Sequence, residues 1–129
     1  MTAWVLIGLG GALGSMARHG VNVLARQYSP AMRFPLGTVL VNLAGCCLIG
    51  ALAGLAASGK LPLRLPAREF IFVGLLGGFT TFSTFGLDTI TLLRTGDVSL
   101  ASWSIGLQVI GGLCGVYLAL VIFEQLGPR

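Results

Sequence analysis

The chain has 129 residues, 55% of them hydrophobic and 9% charged, with a mean hydropathy of +0.92 and a formal net charge of +4. A balance this apolar excludes a soluble domain and makes the chain an integral membrane protein. Its cations stand at the ends of apolar runs, where Lys and Arg meet headgroups and water, and no basic stripe interleaved with aromatics points to nucleic acid.

Four apolar runs follow in chain order. Residues 3–25 make a first span once Arg18 and His19 are accepted near its end. No basic residue precedes this run and no small-residue cleavage site follows it, so it reads as a retained span and not a signal peptide. The second, residues 35–57, carries no charge and is long enough to cross about 30 Å of hydrocarbon as a helix. The third, residues 69–94, holds Asp88 toward its end, and the fourth, residues 98–126, is uncharged from Val98 to Phe123. Short connections leave no room for another unit, so one four-span domain over residues 1–129 is expected, with both termini on one side.

The middle of the third span breaks the aliphatic pattern with Gly77-Gly78-Phe79-Thr80-Thr81-Phe82-Ser83-Thr84-Phe85. Two adjacent glycines weaken the helix, and the hydroxyls that follow compete for its backbone groups, which predicts a break at mid-membrane depth. Freed backbone is tolerated there only when buried in protein or facing a polar cavity, so the segment points to a conduction or binding path.

Lys60, Arg64, Arg68 and Arg129 count for the face carrying the termini, against Arg26, Arg33 and Arg94 on the other; adding Arg18 to the second face cancels the bias. Such a chain is expected to insert both ways and to assemble as an antiparallel homodimer with its two-fold axis in the membrane plane. Gly10 and Gly14, Gly50 and Gly54, Gly74 and Gly78, and Gly111 and Gly115 give every span a small-residue face for close packing within or between subunits.

Several polar residues need partners. Asn42, with Thr38 one turn before it, must face protein or water; it serves either as interhelical glue or as an amide donor to an anion. Phe79, Phe82 and Phe85 form a stripe if helix persists, read either as core packing or as rings whose positive edges meet a partly dehydrated anion. Ser83 and Thr84, beside Thr80 and Thr81, bring hydroxyl donors. Arg18 either snorkels to headgroups or concentrates anions at a pore mouth. On the fourth span Ser104 and Gln108 are one turn apart, with Gly112 and Val116 continuing that face. Cys46, Cys47 and Cys114 have neither metal-ligand spacing nor an even number, and read as packing residues. With no His/Cys/Asp/Glu cluster, nucleophile–base pair or phosphate loop, an enzyme is not expected.

Three blocks carry a resemblance along essentially the whole chain: residues 10–18 (GGALGSMAR), 37–45 (GTVLVNLAG) and 77–85 (GGFTTFSTF). On these the chain resembles the Fluc (CrcB) family of small fluoride channels. The resemblance implies an all-α membrane protein whose third helix is broken and whose dual-topology antiparallel homodimer passes F⁻ passively through two pores. It also implies residence in a bacterial inner membrane, among lipid, and relief of fluoride toxicity. Carried over, Asn42 is the pore amide, and Phe82 and Phe85 are the rings that meet the ion. Ser83, Thr84, Thr38, Ser104 and Gln108 complete the polar route, with Arg18 at the vestibule. Main-chain carbonyls of Gly77 and Thr80 are implied to hold a structural Na⁺. The chain departs from the family where hydroxyl or amide groups commonly continue the fourth-span track, since Gly112 and Val116 stand there.

Two other readings compete. A small multidrug-resistance-type exporter needs a glutamate in its first span, where this chain carries Arg18 and no acid. A non-transporting scaffold held by small-residue contacts requires Asn42, Phe82 and Phe85 to affect assembly alone.

Overall fold

A computed structural model describes residues 1–29 and 32–126, and among them every regular element is helical. The elements are α1 (Thr2–Tyr28), α2 (Leu36–Ala57), α3 (residues 65–79), α4 (Phe82–Arg94) and α5 (Val98–Gln125). Arg129, one of the cations counted on the side of the termini, lies outside the described residues. The third run starts at Leu65, earlier than the sequence suggested, because Pro66 in the first turn presets a helical φ.

Three runs are long and apolar enough to cross a membrane: α2, α3 with α4 taken as one broken helix, and α5. Of the four expected spans, α1 is the one outside these three. It has the length, but Arg18 and His19 interrupt its apolar stretch and lower its hydropathy. The chain is nonetheless a membrane protein, with large apolar side chains such as Met16, Ile110 and Leu113 turned outward.

Glycine faces lock the helices in two pairs, both within one chain. A Cβ on Gly10 would lie 2.6 Å from the Phe70 carbonyl oxygen, and one on Gly74 would lie 2.8 Å from that of Ile7, so α1 and α3 meet backbone to backbone. Gly14 abuts Leu75 and Phe79 in the same seam. On the other side Gly50 and Gly54 of α2 press against the Val116 and Leu120 carbonyls of α5. Cys46 and Cys47 in turn fill the space at Gly112 and Gly115, in keeping with a packing role for these two thiols. Such seams gain from many small dispersion contacts where lipid offers no hydrophobic drive. Large side chains contribute little, since Val41 and Ser104 are the largest fully buried ones among the described residues.

Two stretches are π-helical, Glu69–Leu76 in α3 and Leu107–Gly111 in α5. Their wider turn moves side chains off the 3.6-residue register. Between α4 and α5 the chain turns through Gly96, at φ 83°, and Arg33 from the α1–α2 connection reaches Asp97 there at 3.1 Å.

Candidate functional site

The helix breaks between α3 and α4 at Thr80 and Thr81, whose backbones are extended (φ −82°, ψ 160° and φ −153°, ψ 116°). Thr80 ends the first half, its N–H and hydroxyl both donating to the Leu76 carbonyl at 3.0 Å. Thr81 caps the second half, its Oγ1 accepting from the Thr84 N–H at 3.2 Å and standing 3.0 Å from Thr84 Oγ1 and 3.3 Å from Ser83 Oγ. The break that Gly77-Gly78 and the paired threonines predicted is therefore present. It separates Phe79 on α3 from Phe82 and Phe85 on α4, so the expected stripe of three rings is reduced to a pair.

Asn42 on α2 repairs the exposed backbone. The Thr81 N–H donates to Asn42 Oδ1 at 2.8 Å, and Asn42 Nδ2 donates to the Thr81 carbonyl at 3.0 Å. The second Nδ2 hydrogen goes to Gln108 Oε1 at 2.6 Å, and Gln108 Nε2 donates to Ser104 Oγ at 2.9 Å. Because a backbone N–H can only donate, Thr81 fixes the orientation of both amides in this chain of bonds. Asn42 is thus a brace across the break, and both its donors are engaged.

Asn42, Thr81 and Gln108 line a cleft of about 340 Å³ that also holds Thr80, Phe82, Phe85 and Cys46. The Phe82 and Phe85 ring centroids are 5.4 Å apart and the planes are tilted by 53°, an arrangement that presents a ring edge to its neighbour. Phe82 is 82% exposed, so the cleft is a half-open groove on the surface of one chain.

Thr38 falls elsewhere. Its hydroxyl donates to Asp88 at 2.7 Å, and with Thr84 both line a second, more polar recess of about 370 Å³ that includes His19, Arg26 and Arg33. Asp88 was not singled out from the sequence as a site residue. The signal was there, in a carboxylate placed inside an apolar run. Arg18 turns toward the break, its Nη1 donating to the Thr80 carbonyl at 3.3 Å, while the neighbouring Ser15 hydroxyl donates to the Gly78 carbonyl at 3.4 Å. Ser104 is fully buried behind Gln108 and does not line the cleft.

The same bonds bear on a cation. In an unbroken helix the Gly77 carbonyl would accept from Thr81 and the Thr80 carbonyl from Thr84, but those N–H groups are committed to Asn42 and to the Thr81 hydroxyl. Both oxygens have been released from the helical ladder, and each carbonyl keeps lone pairs suited to a hard monovalent ion, including the one beside Arg18. The residues fit the Na⁺ that the resemblance implies. Among the described residues, no group of three His, Cys, Asp or Glu side chains offers a transition-metal site.

Residues 5–120 match the family model described as CrcB-like protein, Camphor Resistance (CrcB). A fluoride-specific ion channel FluC from Methylobacillus flagellatus is 46% identical over 121 residues, covering 94% of both chains. One of the same description from Paracoccus denitrificans is 46% identical over 120 residues, covering 93% of both, and one from Hyphomonas neptunium is 40% identical over 126 residues, covering 98% of both. A broken helix braced by an amide, two tilted rings at its edge and similarity along nearly the full length lead to one conclusion: this chain belongs to the CrcB family.

Proposed function

We propose that the protein is a passive, fluoride-selective channel that lets F⁻ leave the cytoplasm across the inner membrane and so relieves fluoride toxicity. The observation that carries the reading is the cleft at the helix break, where amides, hydroxyls and ring edges converge in a chain similar along its length to fluoride channels. Fluoride is small and strongly hydrated, so it enters a protein only where hydrogen-bond donors replace its water. In the cleft Asn42 and Gln108 supply amides, with Ser104 orienting Gln108, while Thr84 and Thr38 bring hydroxyls to the second recess and Ser83 brings one beside the Thr81 cap. The edges of Phe82 and Phe85 add a weak positive field that does not trap the ion. Arg18 raises the local anion concentration near the break.

A groove with one ring 82% exposed to the surroundings is not a closed path. A second copy inserted the opposite way would cover it, giving an antiparallel homodimer with two pores; the near-balance of cations on the two faces supports this arrangement. In that dimer α1 crosses the membrane beside the three more apolar runs, its Arg18 turned inward. The Gly77 and Thr80 carbonyls of both subunits would hold a structural Na⁺ near the axis, and the ion would supply a fixed charge that keeps the broken backbone in place.

The test is efflux from liposomes loaded with potassium fluoride, triggered with valinomycin and followed by a fluoride electrode beside a chloride-loaded control. Fast efflux of fluoride alone supports the channel; silence from an intact assembly refutes it and favours the scaffold reading.

A further inference from the structure

The oxygen that Gln108 offers to Asn42 occupies a place an anion would need. Gln108 Oε1 is a partial negative charge 2.6 Å from Asn42 Nδ2, facing the cleft, and it takes the one Asn42 hydrogen not spent on the Thr81 carbonyl. As long as it stays, the amide at the break has no donor left for fluoride. The other end of Gln108 meets a hydroxyl, Ser104 Oγ at 2.9 Å, and a hydroxyl can accept or donate. If the Gln108 amide turns over, Oε1 accepts from the Ser104 hydroxyl and Nε2 points where Oε1 stood. Ser104 is satisfied in both orientations, and the one group the turn releases is the second Asn42 Nδ2 hydrogen, which the entering anion takes up.

We infer that Gln108 is a two-position specificity residue: its carbonyl oxygen caps the Asn42 donor when no ion is present, and its NH₂ joins Asn42 in holding the anion when one enters. The inference rests on the channel reading. A turned-over Gln108 places two amide donors against one small ion, and nothing larger than the displaced oxygen is needed to trigger the turn. An anion too weak an acceptor to replace Oε1 leaves the cap closed.

The experiment measures fluoride efflux from liposomes over a graded series of fluoride concentrations, for the full chain and for Gln108→Ala and Gln108→Ser. Neither variant reaches the Asn42 amide. The concentration giving half-maximal flux is expected to stay within about fivefold of wild type in both, because the hydrogen bond that no longer has to be broken and the donation that is lost are each worth about one neutral hydrogen bond and offset. A rise well beyond fivefold in a conducting variant overturns the inference, because a residue that only donates to the ion gives nothing back when removed, and a fall well beyond fivefold overturns it too, because a residue that only caps Asn42 takes no donor away. Gln108→Glu is the second arm, since it keeps an acceptor on Asn42 but cannot turn over to donate. Flux at least tenfold below wild type is expected, and wild-type flux overturns the inference even if the shorter variants fail to assemble. A silent wild type sinks the channel reading and this inference together, whereas a conducting wild type with an unmoved Gln108→Glu sinks this inference alone.

Discussion

Replacing Asn42 by Asp tests the brace and the ion path in one change of nearly constant volume. The wild-type amide makes three bonds, accepting from the Thr81 N–H at 2.8 Å and donating to the Thr81 carbonyl at 3.0 Å and to Gln108 at 2.6 Å. A carboxylate keeps the first of these and strengthens it by its charge. It loses both donations. Gln108 restores one by turning its NH₂ toward the carboxylate, but the Thr81 carbonyl cannot turn and is left facing an oxygen. That orphan costs about 1–3 kcal/mol, too little to prevent folding of a protein with ordinary reserves. Conduction suffers far more. A fluoride about 4 Å from the new charge meets roughly 4 kcal/mol of repulsion at an effective dielectric near 20, which lowers flux about a thousandfold. Efflux from fluoride-loaded liposomes reads the flux, and thermal unfolding with size-exclusion chromatography reads the assembly. Asn42→Asp conducting within tenfold of wild type would refute the placement of Asn42 beside the ion's path.

Phe82→Ile nearly keeps the volume and loses the ring's quadrupole, so conduction should fall at least tenfold in the same assay while the helix content by circular dichroism stays unchanged. Gly14→Ala drives a methyl into the Leu75 carbonyl on the facing helix and should destabilise by about 3 kcal/mol, whereas Gly20→Ala meets open space and should be neutral or stabilising by about 0.5–1 kcal/mol; detergent melting curves of the two variants compare them directly. Thr81→Ala removes the cap on α4 and should cost about 1 kcal/mol, visible as faster amide exchange at Ser83 and Thr84. Arg33→Gln breaks an ion pair whose arginine is 72% exposed, and the melting temperature should move by no more than about 1 kcal/mol warrants, less still in high salt.

The break itself was legible from residues 77–81, because adjacent glycines and threonines act locally and their effect does not depend on what lies opposite. The bounds of the other runs were legible for the same reason, apart from the turn that Pro66 adds and the three residues by which α1 runs on past residue 25 to Tyr28. What Asn42 holds was not. Its partner is a backbone 39 residues away, and an amide inside an apolar run says only that some partner exists. The grouping of Thr38 with Asn42 followed from one-turn spacing. Facing residues on other helices nevertheless divide the two between separate recesses, one toward Asp88 and one toward Thr81. The orientation of Gln108 was out of reach, since it is set by the Asn42 amide on another helix, 66 residues away, and not by its own neighbours. The small-residue faces were visible, but whether they close within a chain or between chains depends on a third dimension that spacing does not carry.

The two glycine seams have a consequence for how the protein is made. The first seam joins α1 to α3, and the second joins α2 to α5, so neither joins neighbours in the sequence. When α1 and α2 have been synthesised, they approach closely at Gly37, beside Asn22, but neither glycine seam yet exists. The arrival of α3 closes the first seam, and only the last helix covers the Gly50 and Gly54 face of α2. A ribosome stalled in α4 would leave the Gly50 and Gly54 face of α2 bare, a small-residue surface free to take a helix from another chain. Completion of α5 therefore ends the period in which the nascent chain is open to the wrong company.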